Sequence, residues 1–183
     1  MKTFTRLLAT FSILLGLFSV LPYLSWDLGT SAADLPAVKE VNQRATVIGY
    51  DRDAMFGGWL TGVREGVVAQ AGTIDPYSGA PLDLNNAEVD HIFPLSAAWD
   101  LGAHSWTAAQ RITFANDPIN LVLVSREQNQ TKGDQLPSEW LPQNPRVRCW
   151  YVEKLFGVAN AYHLPLPAAD VRIAQKQCGF AKF

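Results

Sequence analysis

A strand followed at once by a helix, in the stretch from Ile119 to Gly133, constrains the fold most strongly. Ile119 to Val124 is nearly continuous in branched apolar residues, which is typical of a short strand. Ser125 with a glutamine three residues later matches a capping box that starts a helix, and Gly133 ends that helix. A second short strand is predicted upstream, at Glu88 to Phe93. We therefore expect an α+β fold containing two strands with a helix across them.

The patterns around this unit predict mostly helices. We expect a short helix in the lead-in before residue 44, a β-type run before Asp51, and helices over the remaining periodic segments. The predicted segments are Asp34–Gln43, Thr46–Tyr50 (the β-type run), Thr61–Ala71, Leu95–Leu101, Thr107–Asn116 (with Ser105 as an alternative cap), Val147–Tyr162 and Pro167–Cys178.

The N-terminal segment has the layout of an export signal. Lys2 and Arg6 precede an uncharged apolar run over residues 7–24, and small residues end the segment at Ala33. We expect cleavage after Ala33, which leaves residues 34–183 as a single domain that is secreted, periplasmic or held at the cell surface. The alternative is an uncleaved anchor, because the run is close to the shortest that spans a bilayer. Membrane contact would then be limited to residues 7–24.

Two cysteines, Cys149 and Cys178, follow the export signal. In an oxidising compartment such a pair is most simply one disulfide, which would join the two C-terminal helices. Two buried thiols are an alternative. A zinc site that also uses His163 is another, but it lacks a fourth ligand.

The charge distribution is uneven along the chain. The net charge is −2, with 5 basic and 11 acidic residues from Asp34 to Ser125 but 8 basic and 5 acidic from Arg126 to Phe183. Proteins that bind nucleic acid usually carry a basic face, so the overall acidity counts against that function. The C-terminal third can still supply a modest basic surface.

The two-strand and helix unit carries residue types suited to phosphodiester hydrolysis. Asp90 and His91 lie in the first strand, and Asn129 and Lys132 are three apart on one helix face. A carboxylate and an amide oxygen suit a hard divalent cation, and a neutral histidine beside it can take a proton from water. Lys132 and Arg126 are candidates to hold phosphate oxygens.

The motif resembles that of the HNH endonucleases, which have a ββα-metal (His-Me finger) core. The matching residues are Asp90-His91-Ile92, Pro94-Leu95, Asn120-Leu121 and Asn129-x-x-Lys132-Gly133. Further segments resemble exported HNH proteins related to the C-terminal domain of the GmrSD restriction enzyme. They are Tyr50-Asp51-Arg52-Asp53, Asp75-Pro76-Tyr77-Ser78-Gly79, Ala98-Trp99, Phe114-Ala115-Asn116-Asp117-Pro118, Trp140-Leu141-Pro142 and Cys149-x-Tyr151.

The resemblance, which extends from about Tyr50 to Cys178, implies a role for each matching residue. His91 would be the general base, and Asp90 and Asn129 would bind a divalent metal, Mg²⁺ or alternatively Mn²⁺. Asn120 would orient His91 by tying its loop to the strand, and Lys132 would lie near the scissile phosphate. The cysteine pairs that bind structural zinc in some HNH enzymes are absent from the sequence. The implied fold is a ββα-metal core elaborated by helices, with a disulfide-pinned helical tail.

We therefore expect an exported, metal-dependent endonuclease. It would cut DNA rather than RNA, with little sequence specificity and without a small-molecule cofactor; the sequence indicates no protein partner. The alternative is a catalytically silent module that binds nucleic acid or a surface on the same fold. An exported peptidase is disfavoured, because neither H-E-x-x-H nor G-x-S-x-G occurs.

Other polar and aromatic residues have simpler interpretations. Glu88 shares a strand face with Asp90 and is either a further ligand or, as we favour, a solvated edge residue. Asp51, Arg52 and Asp53 are expected to form a salt-bridged loop. Tryptophans such as Trp59 are expected in the core rather than at a binding surface.

Overall fold

A computed structural model of the chain describes residues 35–179, so the predicted signal or anchor at 1–33 lies outside the described residues. Within residues 35–179 the fold combines helices with two small two-stranded sheets. In this part of the chain no helix is both long enough and apolar enough to cross a membrane.

The elements follow one another with short connections. The strands are β1 (Glu40–Val41), β2 (Ala87–His91), β3 (Leu121–Ser125) and β4 (Leu166–Pro167). The helices are α1 (Arg52–Phe56), α2 (Val63–Ala69), α3 (Leu95–Asp100), α4 (Ala108–Asn116), α5 (Arg126–Lys132), α6 (Arg148–Ala161) and α7 (Ala168–Gly179).

Strands β2 and β3 form an antiparallel pair that helix α5 follows directly. The pair runs from Ala87 opposite Ser125 to His91 opposite Leu121. Ser125 ends β3 and caps α5, because its side chain accepts a hydrogen bond from the backbone N–H of Gln128. The strand-to-helix junction predicted from the sequence is therefore present, and α5 contacts both strands.

The β2–β3 pair separates two apolar clusters. Val89, Leu121 and Leu123 pack against Val63 and Val67 of α2 in the smaller cluster. The main core lies on the other side and is built by helices α3, α4, α6 and α7. Its members with large, fully buried side chains include Phe56, Tyr77, Phe93, Phe114, Val124, Tyr151 and Leu155. Both faces of the pair are therefore covered, which fixes the direction of each side chain on β2.

The turn at residues 75–79 is fastened to the β3–α5 junction by Asp75. This buried carboxylate accepts hydrogen bonds from the Ser125 hydroxyl (2.6 Å), the Ser125 N–H (3.2 Å) and the Tyr77 N–H (2.8 Å). Burial acts to raise the pKa of Asp75, but the hydrogen bonds from Ser125 and Tyr77 outweigh it and lower the pKa. Asp75 is therefore held ionised, and its carboxylate positions Tyr77 by accepting a hydrogen bond from the Tyr77 N–H.

The C-terminal helices are joined by a disulfide between Cys149 of α6 and Cys178 of α7, whose Cα atoms lie 4.7 Å apart. This confirms the predicted pairing. It excludes both alternatives, the two free thiols and the zinc site with His163, because a disulfide leaves no thiolate to bind metal.

Three expectations for the N-terminal part are wrong. Residues 46–50 form no strand, because Val47 is bound by side chains instead: its N–H donates to Asp100 and its carbonyl accepts from Trp99. The lead-in contains the short strand β1, paired in parallel with β4, rather than a helix. Arg52 starts helix α1 rather than a salt-bridged loop, with Asp51 as the helix cap.

We predict that Asp75→Ala lowers the free energy of unfolding by about 2–4 kcal/mol, because it leaves buried donors on Ser125 and Tyr77 without an acceptor. Denaturant melts at pH 7 measure this difference. Because folding depresses the pKa of Asp75, its contribution is present above the carboxyl's unfolded pKa and is lost as the pH falls through the folded pKa.

Asp83→Ala is the matched control. Asp83 is exposed and accepts one backbone hydrogen bond, from Asn85, so its removal should cost about 1 kcal/mol or less. Equal losses in the two variants would contradict the anchoring role of Asp75.

Candidate active site

His91 lies at the end of β2, with its ring held on two sides. Its Nε2 atom is 2.8 Å from the carbonyl oxygen of Ala115, near the end of α4. The indole of Trp59 stacks on the imidazole with ring centres 5.3 Å apart and planes 5° from parallel. Only 8% of His91 is exposed, so the ring has little freedom to turn.

The contact with Ala115 determines where the imidazole carries its proton. A carbonyl oxygen only accepts hydrogen bonds, so Nε2 of His91 must carry the hydrogen. Burial lowers the pKa of His91 to about 4, which keeps the ring neutral at pH 7. In the neutral ring, Nδ1 then holds the lone pair and can act as a proton acceptor.

Three neighbouring open cavities meet around His91 and β2. The central cavity, of about 270 Å³, is bordered by Asp90, His91 and Asn129. The Ala115 cavity, of about 390 Å³, is bordered by His91, Trp59 and Ala115. The Glu88 cavity, also of about 390 Å³, is bordered by Glu88, Trp59 and Asn129. Together they form a groove beside β2.

Asp90 is buried beside His91, and each of its carboxylate oxygens accepts one hydrogen bond. The Tyr77 hydroxyl donates to Oδ2 at 2.6 Å, and Lys132 Nζ donates to Oδ1 at 2.9 Å. Burial raises the pKa of Asp90, although Lys132 and Tyr77 both favour its ionised form. The carboxylate also borders the central cavity.

Lys132 departs from the expected arrangement. Its side chain is completely buried, and Nζ donates to Asp90 and, at 2.8 Å, to the carbonyl oxygen of His91. It borders none of the three cavities. The ammonium group therefore faces the interior, where it neutralises Asp90, instead of facing a phosphate in the groove.

A chain of hydrogen bonds beside the Glu88 cavity joins Asn129, Glu88 and Arg126. Asn129 Nδ2 donates to Glu88 Oε2 at 2.8 Å, and Arg126 Nε donates to Glu88 Oε1 at 2.9 Å. A carboxylate only accepts, so the amide of Asn129 must turn its NH₂ group toward Glu88. Its carbonyl oxygen, Oδ1, has no hydrogen-bond partner among residues 35–179 and is left for another partner in the groove. Arg126 is already paired with Glu88, although its side chain is 53% exposed.

Asn120 lies away from the groove and is fully buried. Its side-chain oxygen accepts from the Phe93 N–H at 2.7 Å, and its amide donates to the Phe93 carbonyl at 3.2 Å. The Asn120 backbone carbonyl accepts from the Ile92 N–H. Asn120 therefore ties the segment after β2 to the start of β3, next to His91.

Sequence reasoning missed two aromatic residues of the site. Trp59 was expected in the core, but it is 37% exposed and its ring covers His91. Tyr77 is fully buried and binds Asp90. Its position in the Asp-Pro-Tyr-Ser-Gly turn was the available signal, because an aromatic residue inside a polar turn needs a partner elsewhere.

The oxygens that border the groove suit a hard divalent cation. They belong to Asp90, to Asn129 through its unengaged Oδ1, and to the nearby carboxylate of Glu88. Among the described residues, the only cluster of three His, Cys, Asp or Glu ligands is Cys149, Glu153 and Cys178. Its two sulfurs are bonded to each other, so it is not a comparable site.

Comparison with known proteins gives two matches. Residues 60–165 match the model of the family described as GmrSD restriction endonucleases, C-terminal domain. A protein of Arthroderma benhamiae described as an uncharacterized secreted protein is 36% identical over 145 residues, covering 67% of this chain and 71% of its own length. No solved structure gives a significant match.

The family match contains Asp90, His91, Asn120, Asn129 and Lys132, and it agrees with the HNH-type resemblance of the sequence. It covers more than half of the chain. This protein therefore belongs to the family of GmrSD restriction endonuclease C-terminal domains.

Proposed function

We propose that this protein is a metal-dependent endonuclease that hydrolyses phosphodiester bonds of nucleic acid, with His91 as the general base. One observation carries the proposal: the Ala115 carbonyl accepts from Nε2 of His91, so the lone pair is on Nδ1 in a ring that borders two cavities. The family to which the chain belongs supports a nuclease.

His91 would take the proton from the water that attacks phosphorus. Because the ring is neutral at pH 7, its lone pair is available without prior loss of a proton. Trp59 and the Ala115 carbonyl hold the imidazole in one orientation, which reduces the entropy cost of aligning it with the water. When His91 becomes positively charged, the Ala115 carbonyl dipole stabilises the imidazolium.

Asp90 and Asn129 would hold the divalent cation, Mg²⁺ or alternatively Mn²⁺. Such an ion would neutralise charge on the phosphate and on the leaving oxygen. Glu88 supports this role because it binds the NH₂ group of Asn129 and thereby leaves the amide oxygen facing another partner. Tyr77 and Lys132 would keep the Asp90 carboxylate in place.

In this proposal β2, β3 and α5 form the ββα-metal core, and residues 34–183 form one nuclease domain. Asn120 and Lys132 are then positioning residues, because neither borders the groove. Asn120 holds the segment after His91, and Lys132 joins Asp90 of β2 to α5.

We further propose that the protein is exported and cuts DNA with little sequence specificity. Residues 1–33 would act as the signal, or as an anchor if they are not cleaved. The secreted relative and the Cys149–Cys178 disulfide support export, because disulfides persist mainly in oxidising compartments.

His91→Ala is predicted to lower the rate of plasmid nicking by at least about 10²-fold, because general-base catalysis contributes on this scale. The purified protein is assayed with Mg²⁺ or Mn²⁺, and excess EDTA should abolish nicking by the wild type. Circular dichroism melts establish that the variant is folded.

His104→Ala is the matched control for this experiment. His104 is exposed and its ring nitrogen also bonds to a backbone carbonyl, that of Trp99, but it borders no part of the groove. Nicking by this variant should be unchanged. If folded wild type leaves DNA and RNA intact with several divalent metals, the nuclease proposal is wrong and a catalytically silent binding module becomes the better explanation.

Lys132→Met is predicted to destabilise the fold by about 3–5 kcal/mol, because it leaves Asp90 buried without its cation. Denaturant melts measure the loss. Lys154→Met, at an exposed position of α6, should change stability by about 0.5 kcal/mol or less. A Lys132→Met protein as stable as wild type would contradict the structural role given to Lys132.

A further inference from the structure

We propose that Arg52 binds the phosphate backbone of the substrate beside His91, a role for which the sequence offered Lys132 and Arg126 as candidates. This inference rests on the proposed nuclease function and names the residue that would hold the substrate in the groove. Arg52 comes from α1, outside the β2–β3–α5 unit and outside the residues 60–165 that match the family model.

The position of Arg52 in the groove favours this role. Arg52 is the one described residue that borders the central, Ala115 and Glu88 cavities alike. It therefore lies where the three cavities meet, next to both His91 and Asn129.

The charges around the groove also favour this role. The acidic residues Asp90 and Glu88 are paired with Lys132 and Arg126, while Asp134 shares Arg44 with Asp100. Arg52 is exposed, and its side chain makes no ion pair or hydrogen bond with the described residues.

Two other charges near these cavities are also unpaired. Arg64 borders the Glu88 cavity and Asp53 borders the Ala115 cavity, and neither has an ion-pair partner among residues 35–179. Their opposite charges offset one another, which leaves Arg52 as the unpaired guanidinium that borders all three cavities and can meet an anionic ligand.

Arg52 also stands on an anchored helix. Asp51 caps α1 by accepting from the Ala54 N–H at 2.8 Å, and Phe56 at the other end is fully buried. Arg111 of α4 donates to the Met55 carbonyl at 2.9 Å. The base of the Arg52 side chain is therefore fixed relative to α4, which also supplies the carbonyl that binds His91.

The chemistry of a guanidinium group fits a phosphodiester. Its planar fork of N–H donors can bind two phosphate oxygens at once, and it stays charged at all physiological pH values. A phosphate held by Arg52 in the central cavity would lie between His91 and Asn129, where the proposed reaction requires it.

The test measures binding without turnover. The affinity of the full chain for a fluorescent 20-nucleotide DNA, single-stranded and duplex, is measured by anisotropy in EDTA at several salt concentrations. We expect Arg52→Ala to weaken binding about tenfold or more, as for loss of a charge-assisted hydrogen bond. The slope of the logarithm of affinity against the logarithm of salt concentration should fall in magnitude by about the value for one phosphate contact.

Arg172→Ala is the matched control, because Arg172 is an exposed arginine of α7 that borders none of the three cavities. It removes the same charge and should change affinity less than twofold. Arg52→Lys should recover part of the affinity but not the bidentate geometry.

Cleavage assays with Mg²⁺ separate this inference from the nuclease proposal. If wild type nicks DNA while Arg52→Ala binds and nicks as wild type does, the role of Arg52 is overturned and the nuclease proposal stands. Equal losses for Arg52→Ala and Arg172→Ala would also overturn it, since only net charge would then matter. If wild type neither binds nor cuts nucleic acid, the nuclease proposal fails, and this inference fails with it.

Discussion

The buried ion pair between Asp90 and Lys132 is the interaction on which the groove depends. It joins β2 to α5 across 42 residues of sequence, and Lys132 also binds the His91 carbonyl. Tyr77 occupies the second oxygen of Asp90, so a third segment of the chain meets at the same carboxylate. A buried pair is costly to desolvate and is tolerated because its charges are compensated by such hydrogen bonds. Removing one member would leave the other charge uncompensated between the strand and the helix.

The alternation of side chains along β2 explains how adjacent residues serve different surroundings. Consecutive residues of a strand point to opposite faces, so Asp90 faces Tyr77 and α5 while His91 faces Trp59 and α4. Both nevertheless border the central cavity. The carboxylate is thus held within a network of donors, whereas the imidazole is held by one carbonyl and one indole face. Because their surroundings differ, the carboxylate of Asp90 can be ionised while the imidazole of His91 is neutral, although the two residues are neighbours in sequence.

The sequence predicted the parts of the site that depend on local patterns. The branched apolar strand, the Ser125 cap and the spacing of Asn129 and Lys132 are encoded within about 15 residues, and the structure has these elements where they were expected. The pairing of Cys149 with Cys178 followed from the oxidising compartment that the export signal indicated.

Contacts between distant segments were not predictable in this way. The spacing of the two residues places Lys132 on the same helix face as Asn129. Packing between distant segments determines that the lysine side chain is buried against Asp90. Residues 46–50 have a strand-like pattern, but the side chains of Trp99 and Asp100 bind the backbone carbonyl and N–H of Val47. These backbone groups are therefore not available to pair with another strand. The positions of Arg52 and Trp59 likewise depend on how α1 and the segment after it pack against α4 and β2.

The ¹⁵N NMR spectrum of the His91 imidazole at pH 7, assigned with a His91→Gln variant, tests most directly whether this residue is prepared to act as a base. The Ala115 contact and the burial of the ring predict a neutral imidazole with its proton on Nε2 and a lone pair on Nδ1. A ring protonated on Nδ1 alone, or a doubly protonated imidazolium at pH 7, would contradict the role assigned to His91.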